Sequence, residues 1–171
     1  MKRFTTAIRA AADAENWYAA LSMALSLPDV CGRLEQPSVG SKKRYVAWFQ
    51  KWIEPKYTLR IGHPGTLHVF LCGEDCYALR CSYHHEGGGN IVEQGRARKA
   101  LRDFHFTTPP RNGTVHMNQV GDTLQLQVDI FANDMATAVD AWSTAVACEA
   151  DIQGRLAALL TVHDGSKGVR F

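Results

Sequence analysis

A chain of 171 residues with 46% hydrophobic and 21% charged positions has ordinary globular composition and length for a single domain with its own core. Its formal charge of +2 at neutral pH is too small for a surface that coats nucleic acid broadly, although it permits a local basic cleft. No apolar run approaches the roughly 18 residues that cross a bilayer, and Met1 to Arg9 leads into Ala-rich, acid-containing sequence rather than a signal-peptide core. The expectation is a cytoplasmic protein with no membrane attachment.

Residues 13–27 place Trp17, Leu21, Ala24 and Leu25 near helical spacing, and Pro28 predicts the end of that helix. A second helix opens near Pro28, carries Val30, Cys31 and Leu34, and stops at Pro37. A third spans 42–54, where Tyr45, Trp48, Phe49 and Trp52 recur three and four apart and Pro55 ends the run. An aromatic stripe at this spacing is first a core face; with Lys42, Lys43 and Arg44 beside it, base stacking is the competing use. Residues 56–66, with Gly62, Pro64 and Gly65, read as a connecting loop. A fourth helix starts near Gly73 or Glu74, has Asp75 at the positive end of its dipole, and is closed by Gly87-Gly88-Gly89.

Beyond the basic segment Arg96, Arg98, Lys99 and Arg102 the period changes to two. Leu124, Leu126, Val128 and Ile130 alternate with polar residues, and Gly121-Asp122 separates them from 114–120, which predicts a β-hairpin within 114–131. Residues 104–107 add a third strand. From Asn133 as N-cap, Met135, Val139, Trp142, Val146, Ile152, Leu156 and Leu159 trace one long last helix that ends near His163. The fold class expected is α+β, mainly helical, with a small antiparallel sheet packed on the same core.

The fourth helix carries the chemistry. Arg80 is cationic at any physiological pH, and His84 and His85 can exchange protons near neutrality, so together they can stabilise and drive displacement at a phosphate. On an ideal helix Arg80 and His85 point about 140° apart, whereas His84 lies only about 40° from Arg80. The reach of arginine, an unwound last turn before Gly87, or a two-fold axis across the helix would bring His85 to Arg80. Tyr83 offers a ring on which bases can stack, and Asp75 and Glu86 flank the motif and could hold its charges. Arg33 and Glu35, near Pro37, are further candidates to orient Arg80 or His85, with surface ion pairing as their plainer use.

The segment Tyr77-Ala78-Leu79-Arg80, four intervening residues and then His85-Glu86-Gly87, resembles the Arg, four to six residues, His signature of HEPN domains (higher eukaryotes and prokaryotes nucleotide-binding). The likeness covers about a dozen residues, and the family most often has Asn, Asp or His after the arginine where this chain has Cys81. It implies a helical bundle, elaborated here by strands. It also implies a metal-independent endoribonuclease acting as a homodimer on single-stranded RNA, of a toxin or phage-defence kind and so with an antitoxin or regulatory protein as possible partner. Arg80 and His85 would be catalytic, with His84, Glu86, Tyr83 and Asp75 in support. A catalytically silent HEPN-like module that binds RNA, a nucleotide or a protein is the alternative.

In the chemistry so expected, His85 exchanges the proton, Arg80 binds the phosphate bidentately, and Arg96, Arg98, Lys99 and Arg102 guide RNA to the site. The scheme needs no metal and no cofactor. Cys72, Cys76, Cys81, His84 and His85 have poor zinc spacing, since paired ligands two to four apart in two separated clusters are wanting. With five cysteines and no framework spacing, free and mostly buried thiols are expected.

Overall fold

In the computed structural model, which describes residues 1–95 and 98–168, the first helix precedes those expected. Helix α1 (Lys2–Asp13) buries Thr5 and Ile8 and packs Phe4, Ala11 and Ala12 against the core, apolar positions three and four apart on one face. Helix α2 (Trp17–Glu35) is capped by the Asn16 side chain, which accepts the Ala19 amide, and it runs through Pro28 where a break is predicted. An interior proline costs about 3 kcal/mol. Here Leu21, Ala24, Leu25, Leu27, Cys31 and Leu34 are buried on both sides of it, and burial of a large aliphatic side chain stabilises by about 1.5–3 kcal/mol each, so packing outweighs the lost bond.

Helix α3 (Ser41–Trp52) buries Tyr45, Trp48 and Phe49, so its aromatic stripe is core. Gly32 of α2 is what lets α3 lie so close: a Cβ there would stand 2.7 Å from the Arg44 carbonyl oxygen. After a 3-10 turn at Glu54–Tyr57 come β1 (Thr58–Ile61) and β2 (Thr66–Val69), an antiparallel hairpin in place of the expected loop. Leu59 and Ile61 alternate on one face and Leu67 and Val69 on the other, all exposed, so each strand's period of two is only four residues long and marks no buried side.

Helix α4 (Gly73–Glu86) has the predicted bounds and closes at Gly87, whose φ of 71° is left-handed. Strands β3 (Asp103–Thr107), β4 (Asn118–Val120) and β5 (Thr123–Gln127) form a sheet in the order β3-β5-β4. The β4–β5 hairpin turns at Gly121-Asp122 as the spacing predicts, but β3 pairs with β5 in parallel, so the sheet is mixed rather than antiparallel. Residues 108–117 carry the chain back across; Pro109-Pro110 and Asn112-Gly113 mark them as a loop but do not say which strands pair or in which sense.

Helix α5 (Val128–Ala145) begins at once after β5, so Val128 and Ile130 belong to a helix and Asn133 lies inside it. Val128, Phe131, Ala132 and Met135 are buried at helical spacing, which overrides the run of alternate residues read as strand. The expected long last helix is two: α5 ends at Ala145, and α6 (Ala150–Ala157) follows. Leu25, Trp48, Leu79, Leu124, Phe131 and Trp142 join one apolar cluster, so helices and sheet share a core. Among the described residues no helix is long and apolar enough to cross a membrane.

Candidate functional site on α4

Two polar stripes run along α4, and they do different work. Asp75, Ser82 and Glu86 fall within about 40° of one another around the helix. Asp75 is 2% exposed, and its carboxylate accepts the amides of Lys99, Ala100 at 3.1 Å and Leu101 at 3.2 Å, with the Cys72 thiol at 3.2 Å. Ser82 Oγ donates to the Asn90 carbonyl at 2.7 Å, and Glu86 Oε1 accepts from Gln94 Nε2 at 3.0 Å. Asp75 and Glu86, candidates to support the motif, instead hold residues 99–101 and Gln94 against α4.

The second stripe faces α2. Arg80 Nη2 stands 3.5 Å from Asp29 Oδ2, with the two side chains 25% and 19% exposed. The other oxygen of Asp29 is engaged at shorter range, by Arg44 Nη2 at 2.8 Å, Arg44 Nε at 2.9 Å and Ser41 Oγ at 3.1 Å. Arg80 Nε is buried and has no hydrogen-bond partner among the described residues. Among the described residues this guanidinium is therefore held by one long contact; its Nε is shut off from solvent, and its terminal nitrogens are the donors left for a phosphate.

One turn on, His84 Nε2 lies 3.2 Å from Ser26 Oγ, and Ser26 Oγ in turn donates to the Ser22 carbonyl at 2.9 Å. With the serine proton so directed, Ser26 accepts from Nε2–H, and the lone pair of His84 stays on Nδ1. Burial, the Arg80 charge and the His85 charge pull the His84 pKa below its ordinary value, so His84 is neutral at pH 7. The negative end of the helix dipole, which favours the imidazolium, is outweighed at this position. Tyr83 packs its ring edge-on against His84 with centroids 5.5 Å apart and donates from its hydroxyl to the Tyr18 carbonyl at 3.3 Å.

His85 is exposed, and its ring makes no hydrogen bond among the described residues. Because α4 stays helical through Glu86, the last turn does not unwind, and His84 rather than His85 shares the Arg80 stripe. Arg33 donates to the Pro37 carbonyl, and Glu35 accepts from Trp142 Nε1 at 2.8 Å, so neither orients Arg80 or His85. Buried Cys72 and Cys76 have thiol pKa values pushed up to about 12, first by desolvation, and hold their protons at neutral pH. No three His, Cys, Asp or Glu side chains among the described residues stand close enough to share a metal ion.

Of the basic segment, Arg96 lies outside the described residues. Arg98 folds back on the Leu101 carbonyl at 3.4 Å, Lys99 is exposed, and Arg102 stands 3.6 Å from Asp122. The segment is tied to the Asp75 stripe, about 140° round the helix from Arg80.

Residues that sequence reasoning missed lie on α2: Tyr18, Ser22, Ser26 and Asp29, spaced four, four and three, form the stripe that answers Arg80 and His84. The pattern is visible only if α2 is continued through Pro28. At one end of the resulting seam, Asp29, Arg33, Arg44 and Leu159 line a recess of about 220 Å³. Near the N-terminus of α2, Trp17, Tyr18 and Phe106 line a smaller one of about 130 Å³, between α2, the end of β3 and the start of α5. No protein-family model matches the chain, and comparison with curated proteins and with solved structures likewise gives no match.

Proposed function

We propose that the chain is a HEPN-like, metal-independent endoribonuclease that cleaves single-stranded RNA at the α2–α4 seam. The observation that carries this reading is the pairing on one stripe of an under-used arginine, Arg80, with a neutral histidine, His84. Arg80 binds the scissile phosphate and offsets the charge that grows on its oxygens. Nδ1 of His84 removes the proton of the 2′-hydroxyl, O2′ attacks phosphorus, and the P–O5′ bond breaks, leaving a 2′,3′-cyclic phosphate and a 5′-hydroxyl. His85, exposed on the next position, protonates the departing O5′. An unpaired strand is the substrate because in-line attack needs a backbone free to rotate.

A homodimer with α4 at its two-fold axis would supply the His85 of one copy beside the Arg80 of the other. Mass in solution tests that arrangement. The alternative, a silent RNA- or nucleotide-binding module, draws on Asp29, which already neutralises part of the Arg80 charge.

Labelled single-stranded RNA incubated in chelator separates these readings. Cyclic-phosphate ends are expected from the wild type and not from Arg80→Ala, His84→Ala or His85→Ala, each with unchanged melting. Retention of RNA without new ends supports the silent module. Wild-type cleavage by Arg80→Ala would remove the nuclease proposal.

A further inference from the structure

From the surface along α2 we infer that the recess lined by Trp17, Tyr18 and Phe106 is a nucleobase subsite, which takes one unpaired base of the RNA strand whose phosphate lies at Arg80. The inference rests on the RNA reading above and names where that strand is held.

Three observations meet at this recess. Its walls are aromatic, and Tyr18 is 79% exposed although it stands in the first turn of a helix whose other large apolar residues are mostly buried. A base has two apolar faces and a polar edge, and aromatic side chains take the faces of unpaired bases. The polar edge has an answer as well. Thr107 lines the recess at the end of β3, and its Oγ1 is buried with no hydrogen-bond partner among the described residues. An unpaired hydroxyl costs stability in a finished interior; this one has almost no accessible surface, so a turn about χ1 is needed to bring it to a base edge, which would then supply both a donor and an acceptor.

The third observation is continuity with Arg80. Tyr18 shares its carbonyl with the Tyr83 hydroxyl, Tyr83 packs on His84, and His84 meets Ser26. From Tyr18 to Ser26 is about 12 Å along α2, and from Tyr18 to Asp29 about 16 Å, within reach of a short single strand laid along the seam. The Tyr18, Ser22, Ser26 and Asp29 positions spread over only about 80° of the helix, so such a strand stays on one face.

The test is a titration of the full chain with an eight-nucleotide single-stranded RNA in chelator, in which 2-aminopurine replaces each base in turn. Fluorescence reports stacking, anisotropy reports affinity, and a gel reports cyclic-phosphate ends. One position is expected to be strongly quenched by the wild type. Tyr18→Ala should abolish that quench and raise Kd about tenfold. Thr107→Val, which keeps the shape, should raise Kd several-fold. Both should melt as the wild type does, because Tyr18 is exposed and the valine leaves no unpaired hydroxyl.

Quench and affinity in Tyr18→Ala and Thr107→Val equal to those of the wild type would overturn the subsite. Cleavage with that result leaves the nuclease standing and the subsite lost. Quenching that depends on Tyr18 without cyclic-phosphate ends leaves the subsite standing and the nuclease lost.

Discussion

Asp29 and Arg80 face each other across the α2–α4 seam at 3.5 Å, while Arg44 grips the same carboxylate at 2.8 Å. One acid thus serves two arginines unequally, and the weaker partner is the one beside His84. Asp29→Asn should loosen both arginines, lowering unfolding free energy in urea by about 1–3 kcal/mol. The same change should tighten binding of single-stranded RNA several-fold in low salt, since Arg80 loses the counter-charge of Asp29. Unchanged affinity at low salt would mean that Arg80 does not meet phosphate.

His84 and His116 give the protein a definite response to acid. His116 is half-buried, with Nδ1 accepting the Gln127 amide at 3.3 Å, and burial depresses its pKa as it does that of His84. In the unfolded chain both return to about 6.5. Between the folded and unfolded values the unfolded state binds more protons, so unfolding free energy rises with pH there. Stability is full above about pH 6.5 and declines as pH falls towards the depressed folded values. Thermal melts from pH 7.5 to 5 should show this decline, and His84→Gln with His116→Gln should flatten it.

Gly32→Ala places a methyl group 2.7 Å from the Arg44 carbonyl, which is backbone and cannot swing aside. Helices α2 and α3 must separate, at a cost of about 1–3 kcal/mol. Urea denaturation gives the number. A neutral result would show that this helix pair yields freely.

Asp75→Ala strips the acceptor from three consecutive amides, those of Lys99, Ala100 and Leu101. A loss of about 3 kcal/mol or more is expected from leaving several buried donors unpaired. Hydrogen exchange of those three amides should accelerate well beyond that of amides in α5. Uniform acceleration through the whole chain would instead indicate global weakening alone.

The α4 helix was legible in the sequence because acidic residues open it and glycine closes it, and both are local signals. The β4–β5 turn was legible for the same reason. Pro28 misled because the local cost of a proline is small beside the burial of the leucines around it, and that burial is a tertiary fact. A break at Pro28 also separates Asp29 from Ser22 and Ser26, which hides Asp29 as the partner of Arg80. The parallel pairing of β3 with β5 was illegible, since the turn residues of the crossover mark a loop and not which strands meet beyond it. At the site, helical arithmetic placed His84 beside Arg80, and the regular last turn of α4 kept it there.

With three amides seated on Asp75 and a hydroxyl of Ser82 fixed to Asn90, α4 cannot roll about its axis once the chain has folded. Its opposite face is consequently presented at a fixed azimuth, and an incoming strand would meet an arginine and an imidazole whose bearings were set in advance. Rotational entropy surrendered during folding need not be surrendered again upon association, a form of preorganisation that favours tight capture by a shallow groove.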